Sequence, residues 1–135
     1  KRAFLIQTNP DRFCPFPGGR GEPDCAAITA AIEACTGKQC KVSLGKPSPV
    51  MLTEALSGLD VDPADCVMVG DRLQTDIQMA LDTGMKSACV LTGEATADDV
   101  AALDAEHRPT WTLDRIDRLI PASVWQELGW AENND

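Results

Sequence analysis

The apolar run Cys66-Val67-Met68-Val69-Gly70 passes directly into a stretch whose Leu73, Ile77, Ala80 and Leu81 share one helical face. Gly84 then separates that stretch from a second apolar run, Ser87 to Leu91. Strand, helix and strand in this succession make a βαβ unit, whose strands run parallel and bury both faces. A chain built around such a unit is an α/β protein, a parallel sheet flanked by helices.

The remaining pattern agrees. A first strand is expected over Ala3 to Thr8 and a loop rich in Pro and Gly over Asn9 to Pro23, longer than a simple connector. Asp24 caps a helix ended by Gly37, with Ile28, Ile32 and Cys35 on one stripe. Ser48-Pro49 reads as an N-cap with proline in the first helical position, and Leu52, Leu56 and Leu59 extend that helix to the turn at Asp60-Val61-Asp62-Pro63. Thr96 caps a helix through Leu103, Thr110 to Leu113 is a short strand, and Asp114 to Trp130 is helical with a break at Pro121. The end, Asn133 to Asp135, is expected to fray.

With 135 residues, 44% of them hydrophobic, the chain can bury one modest core. Its apolar runs are too short to span a membrane, and Lys1 to Pro10 is too short for a signal peptide, so a cytoplasmic setting is expected. Twelve Lys and Arg against 21 Asp and Glu leave a net charge of -9, which repels nucleic acid and anionic membranes; neither is expected as a partner. Six cysteines without a C-x-x-C pair, beside one histidine, lack the spacing of a zinc site. Cys25, Cys35, Cys66 and Cys89 read as small buried hydrophobes.

Ligands of parallel α/β sheets bind at the carboxyl ends of the strands, where Gly70-Asp71 stands. Gly70 lets the backbone turn close to a ligand, and the Asp71 carboxylate offers hard oxygen donors suited to Mg²⁺. Asp76, five residues on, can lean back toward the same loop and orient its neighbours. The same spacing serves a helix cap and a dipole-complementing acid equally well. Lys46, held between Gly45 and Pro47 before a capped helix, can aim a compact charge at a phosphoryl oxygen, although a lysine there alone is ordinarily a solvated side chain. One helix and one strand separate Gly45-Lys46 from Gly70-Asp71, so both are expected to leave the same sheet edge.

Taken together, Gly45-Lys46-Pro47-Ser48-Pro49, the run from Val67 through Gly70-Asp71-Arg72-Leu73-Gln74-Thr75-Asp76-Ile77, and Val90-Leu91-Thr92-Gly93 resemble the C-terminal half of a haloacid dehalogenase superfamily phosphatase. The likeness is nearest to the large-cap, 4-nitrophenylphosphatase-like subclass. Upstream, Phe4 to Asp11 and the small-residue helix Ala26 to Gly37 look like the end of that cap, so the resemblance runs from about Ala3 to about Ile120. It implies residues 1–43 as a cap remnant and 44–135 as the C-terminal half of a Rossmann-like hydrolase core.

By the same resemblance the activity is that of a Mg²⁺-dependent phosphomonoesterase acting on a small phosphorylated metabolite. Lys46 would stabilise the nucleophile and the transferring phosphoryl group, Asp71 would bind Mg²⁺ and Asp76 would support the metal site, while Asn9, Asp11, Phe13 and Cys14 of the cap loop become substrate contacts. Those loop residues serve equally as turn formers. Cap surfaces in this group also carry homodimer contacts.

One part of the family pattern is absent from the sequence. The nucleophile motif is an apolar strand ending in Asp-x-Asp, and the lone Asp-x-Asp here, Asp60-Val61-Asp62, follows a helix and precedes proline. The chain is therefore expected to be a fragment whose N-terminal half carries the nucleophile, and to be inactive by itself, with the Cys66–Gly70 strand left uncovered at its edge. The competing expectation is a non-catalytic α/β module that binds a phosphorylated ligand or a partner chain.

Overall fold

The computed structural model describes residues 3 to 129, without the side chains of Ala122 and Gln126. Expectations for Trp130 and for Asn133 to Asp135 lie outside the described residues. Two compact units divide at Val61–Asp62.

In the first unit, β1 (Ile6–Gln7) pairs in parallel with β4 (Val42–Ser43), extended by hydrogen bonds from Lys41 N to Leu5 O and from Leu44 N to Gln7 O. Between them lie an antiparallel hairpin, β2 (Phe13–Phe16) and β3 (Arg20–Pro23), and helix α1 (Cys25–Thr36). Helix α2 (Pro49–Leu56) follows.

Several expectations are corrected here. The first strand is two residues long. The segment read as a loop folds into the hairpin, reversed at Gly18 and Gly19, whose φ angles of 80° and 75° favour glycine. Asp24 does cap α1, its Oδ1 accepting from Cys25 N at 2.6 Å, and Gly37 ends it in the left-handed region. The packed face, however, is Cys25, Ala26, Thr29 and Glu33, and Ile28, Ile32 and Cys35 are exposed. Two ties set that rotation: Ala26 N donates to Asp11 O, and Cys40 N donates to Glu33 Oε1. Helix α2 stops at Leu56 because Gly58 turns the chain at φ 81°, which leaves Leu59 exposed. Ser48 occupies the N-cap position without a side-chain cap bond.

The second unit contains the βαβ unit. Strands β5 (Val67–Gly70), β6 (Lys86–Val90) and β7 (Trp111–Leu113) form a parallel sheet in that order, so one edge of β5 has no strand partner among the described residues. The connection from β5 begins as a π-turn over Leu73–Ile77 and continues as α3 (Gln78–Thr83), closed by Gly84 at φ 75°. The expected helix is present, and its widened first turn is the part that periodicity misses. Helix α4 (Ala97–Ala101) opens on a complete capping box, Thr96 with Asp99, and α5 (Ala122–Glu127) follows Pro121.

The core is apolar and local to this unit. Ile77, Cys89, Ala95 and Val100 cluster under Leu73 and Leu81, and Met79, Ala80 and Ala88 are also buried. Burying one large aliphatic side chain of this kind stabilises by about 1.5–3 kcal/mol.

Candidate active site

Strand β5 delivers Asp71 to its carboxyl end, and the next loops fix it from two directions. The Asp71 carbonyl accepts from Ala95 N at 2.9 Å, and its carboxylate Oδ2 accepts from Glu94 N at 2.9 Å. Beside it Arg72 Nε meets Glu94 Oε2 at 2.8 Å, so the loop after β6 is laced to the loop after β5. These side chains are 35% and 57% exposed, where an ion pair contributes about 0.2–1 kcal/mol.

Asp76 is only 2% exposed and folds back over the strand end, its Oδ2 accepting from Arg72 N at 3.2 Å while its own N–H donates to Arg72 O at 3.0 Å. A buried carboxylate that closes a loop on itself in this way fixes the path of the residues it spans, here Arg72 to Asp76, directly after Asp71. Gly70 makes the room. A Cβ there would overlap the Asp76 carboxylate, and one on Gly93 would overlap that of Asp71. Neither glycine has a positive φ, so both are required by volume.

Cys89, opposite Gly70 in the sheet, is fully buried. Burial, and then the negative fields of Asp71 and Asp76, push its thiol above its ordinary value, which keeps it neutral. A cleft of about 290 Å³ opens beside Asp71, bordered by Arg72, Gln74, Glu94, Asp99 and Leu103.

The first unit gathers a second set. Because β1 and β4 are parallel, the segments that leave them, Thr8-Asn9 and Gly45-Lys46, emerge at one end. A Cβ on Gly45 would lie 2.6 Å from Thr8 O and 2.7 Å from Asn9 Cα, so the two segments touch. Asn9 Oδ1 accepts from Asp11 N at 3.0 Å, and Asp11, half-buried, continues into the hairpin. Lys46 is half-buried, whereas Cys14 is exposed on β2 opposite Glu22. The sheet expectation for Lys46 and Asp71 is corrected: β4 pairs with β1, and β5 belongs to the sheet β5–β6–β7.

Arg72, Gly93 and Glu94 carry contacts that the sequence reading did not assign. A glycine ending the apolar run at Val90-Leu91 was the available signal. Their partners lie some two dozen residues away, and no local pattern announces them.

For a divalent cation the donors fit in part. Mg²⁺ takes one or two carboxylates and keeps several waters. Asp71 is a carboxylate bordering an open cleft. Among the described residues no group of three or more His, Cys, Asp or Glu converges to hold a metal.

The chain is 34% identical over 126 residues to glycerol-3-phosphate phosphatase of Gallus gallus, covering 88% of this chain and 40% of that protein. It overlays on 4-nitrophenylphosphatase from Thermotoga maritima with a TM-score of 0.74 at 36% identity, covering 86% of this chain and 43% of the other. It overlays on a glycerol phosphate phosphatase from Mycobacterium tuberculosis, solved in complex with magnesium, with a TM-score of 0.66 at 35% identity, covering 82% of this chain and 32% of the other. The chain thus spans less than half the length of these relatives. Residues 43–119 match the HAD-hydrolase-like family model, and the chain belongs to that family.

Proposed function

We propose that this chain contributes Lys46, Asp71 and Asp76 to a Mg²⁺-dependent phosphomonoesterase that acts on a small phosphorylated metabolite and whose nucleophilic aspartate lies in a further part of the protein. The observation that carries this reading is the fixing of Asp71 at the end of β5 by the backbone of Glu94 and Ala95, with the buried Asp76 bracing the next residue, Arg72. The relatives it matches are phosphatases, and one was solved with magnesium.

Phosphoryl transfer asks a protein mainly to position groups and to neutralise charge on the equatorial oxygens. Mg²⁺, when bound, supplies Lewis-acid stabilisation of that charge. Asp71 offers a carboxylate oxygen to the ion, Asp76 holds the loop that carries Asp71, and Lys46 presents a positive charge to the phosphoryl group. Asn9, Asp11 and Cys14 contact the substrate from the cap. Residues 1–43 are the end of that cap and 44–135 are half of the hydrolase core, with the missing N-terminal half as its partner. The open edge of β5 is where the nucleophile strand would add, and without it the chain is inactive. Among the described residues no helix is long and apolar enough to cross a membrane; the reading keeps a cytoplasmic, homodimer-competent enzyme.

The test is Asp71→Ala in the full-length protein. Mg²⁺-dependent turnover of a phosphate monoester should fall by about 10³-fold or more, since a bound metal supplies several kcal/mol of transition-state stabilisation. Retained turnover overturns the reading, and phosphate-ester binding without hydrolysis by the unmodified protein favours the binding module.

A further inference from the structure

We infer that Gly93 and Glu94 are positioning residues for the Asp71 carboxylate: Gly93 vacates the space the carboxylate fills, and Glu94 holds it through its backbone N–H and through its side-chain ion pair with Arg72. The inference rests on the metal role proposed for Asp71 and assigns new residues to it.

Three separate ties join the β5 and β6 loops at this point. Ala95 N donates to the Asp71 carbonyl, Glu94 N donates to Asp71 Oδ2, and Arg72 Nε meets Glu94 Oε2. The first two fix the backbone and one carboxylate oxygen of Asp71, which directs the remaining lone pairs of the carboxylate into a narrow range of orientations. The third acts on the flanking residues of both loops at once, because Arg72 follows Asp71 in sequence and Glu94 is the residue whose N–H reaches it. Gly93 is required for the carboxylate to lie where it does, since a Cβ there would overlap it although the backbone conformation suits any residue. Arg72 and Glu94 border the cleft beside Asp71.

Groups that orient a metal ligand typically change metal affinity by about 10–100-fold when removed, and the two residues divide that range. The experiment is calorimetric titration of the full-length protein with MgCl₂ alone, beside the melting temperature of each metal-free variant. Gly93→Ala should raise the apparent Kd for Mg²⁺ by about 100-fold and Glu94→Ala by about tenfold. Glu94→Gln should restore binding to within about threefold of the unmodified protein, because its amide oxygen can still accept a hydrogen bond from the Arg72 guanidinium.

Asp71→Ala is measured in parallel. If it abolishes Mg²⁺ binding while both Gly93→Ala and Glu94→Ala bind normally, the positioning role is wrong and the phosphatase reading survives. If Asp71→Ala binds Mg²⁺ as the unmodified protein does, the metal role fails and the inference fails with it. Losses that merely track a fall in the metal-free melting temperature also overturn it, since they would report general unfolding.

Discussion

The two units of the chain handle their apolar side chains differently. In residues 62–135 the β5–α3–β6 segment closes over Ile77, Met79, Ala80, Ala88 and Cys89, all essentially inaccessible. In residues 1–61 the described side chains that count as buried are Thr29 and Leu52, at 7% and 8% exposure, while Phe4, Phe13, Ile28 and Ile32 are exposed. Asp71 stands beside this core, tied to Glu94 and to Ala95, which belongs to it. Lys46 and Asn9 are held by backbone packing at Gly45, on a background whose apolar faces await cover. The proposed longer chain accounts for that difference, since a cap and core half would both bring surface to those faces.

This contrast can be broken by measurement. Replacing Ile77 by Ala should cost about 2–5 kcal/mol in chemical denaturation, the range for truncating a buried aliphatic side chain. The same change at Ile28 should cost less than about 0.5 kcal/mol in this chain alone, as at other exposed positions. In the full-length protein the Ile28 cost should rise above about 1 kcal/mol if that face is covered there. Equal costs for Ile77 and Ile28 in the isolated chain would erase the distinction between the units.

Thiol chemistry sharpens it further. Hydrogen bonds from the Asn9 backbone and then from Thr8 hold the half-buried Cys25 thiol below its ordinary value, whereas burial and then Asp71 and Asp76 raise that of Cys89. Alkylation by iodoacetamide at neutral pH, followed by peptide mass spectrometry, should label Cys25 about tenfold or more faster than Cys89. Comparable rates would mean that burial does not shield Cys89.

The smallest effect is an acid one. The Thr96 hydroxyl and backbone N–H, bonded to the Asp99 carboxylate, depress its pKa below the ordinary value of 3.8. A carboxylate depressed on folding contributes stability that is present above 3.8 and lost as the pH falls through the folded value. Thr96→Ala should therefore flatten the acid limb of a melting-temperature profile below that pH and leave its neutral limb parallel to that of the unmodified chain.

Much of the second unit was legible because its signals are local. Apolar runs, the 3.6-residue stripe of Leu73, Ile77 and Leu81, Gly84 as a stop and Thr96 as a cap each follow from neighbours in sequence. The hairpin at Phe13–Pro23 was missed because both its strands are exposed on both faces and carry Pro15 and Gly21, which erases the alternation that marks a half-buried strand. The stripe on α1 was misassigned because hydrophobicity chose Ile28 and Ile32, while the rotation of the helix was set by Asp11 and Glu33 accepting backbone N–H groups. At the site, Asp71 and Asp76 were visible from a single glycine-acid run. Glu94 was not, since its role depends on which loop the fold sets beside Asp71.

The overlap of acidic side chains with the missing Cβ atoms of Gly70 and Gly93 also bears on how such a loop can change over generations. At either position any first step away from glycine meets a carboxylate already in place. A lineage that varies either glycine must displace Asp76 or Asp71 from its present place, so the two kinds of substitution are linked by space. Descendants that keep the acids inherit the glycines with them, as one unit of inheritance spread across more than twenty residues of sequence.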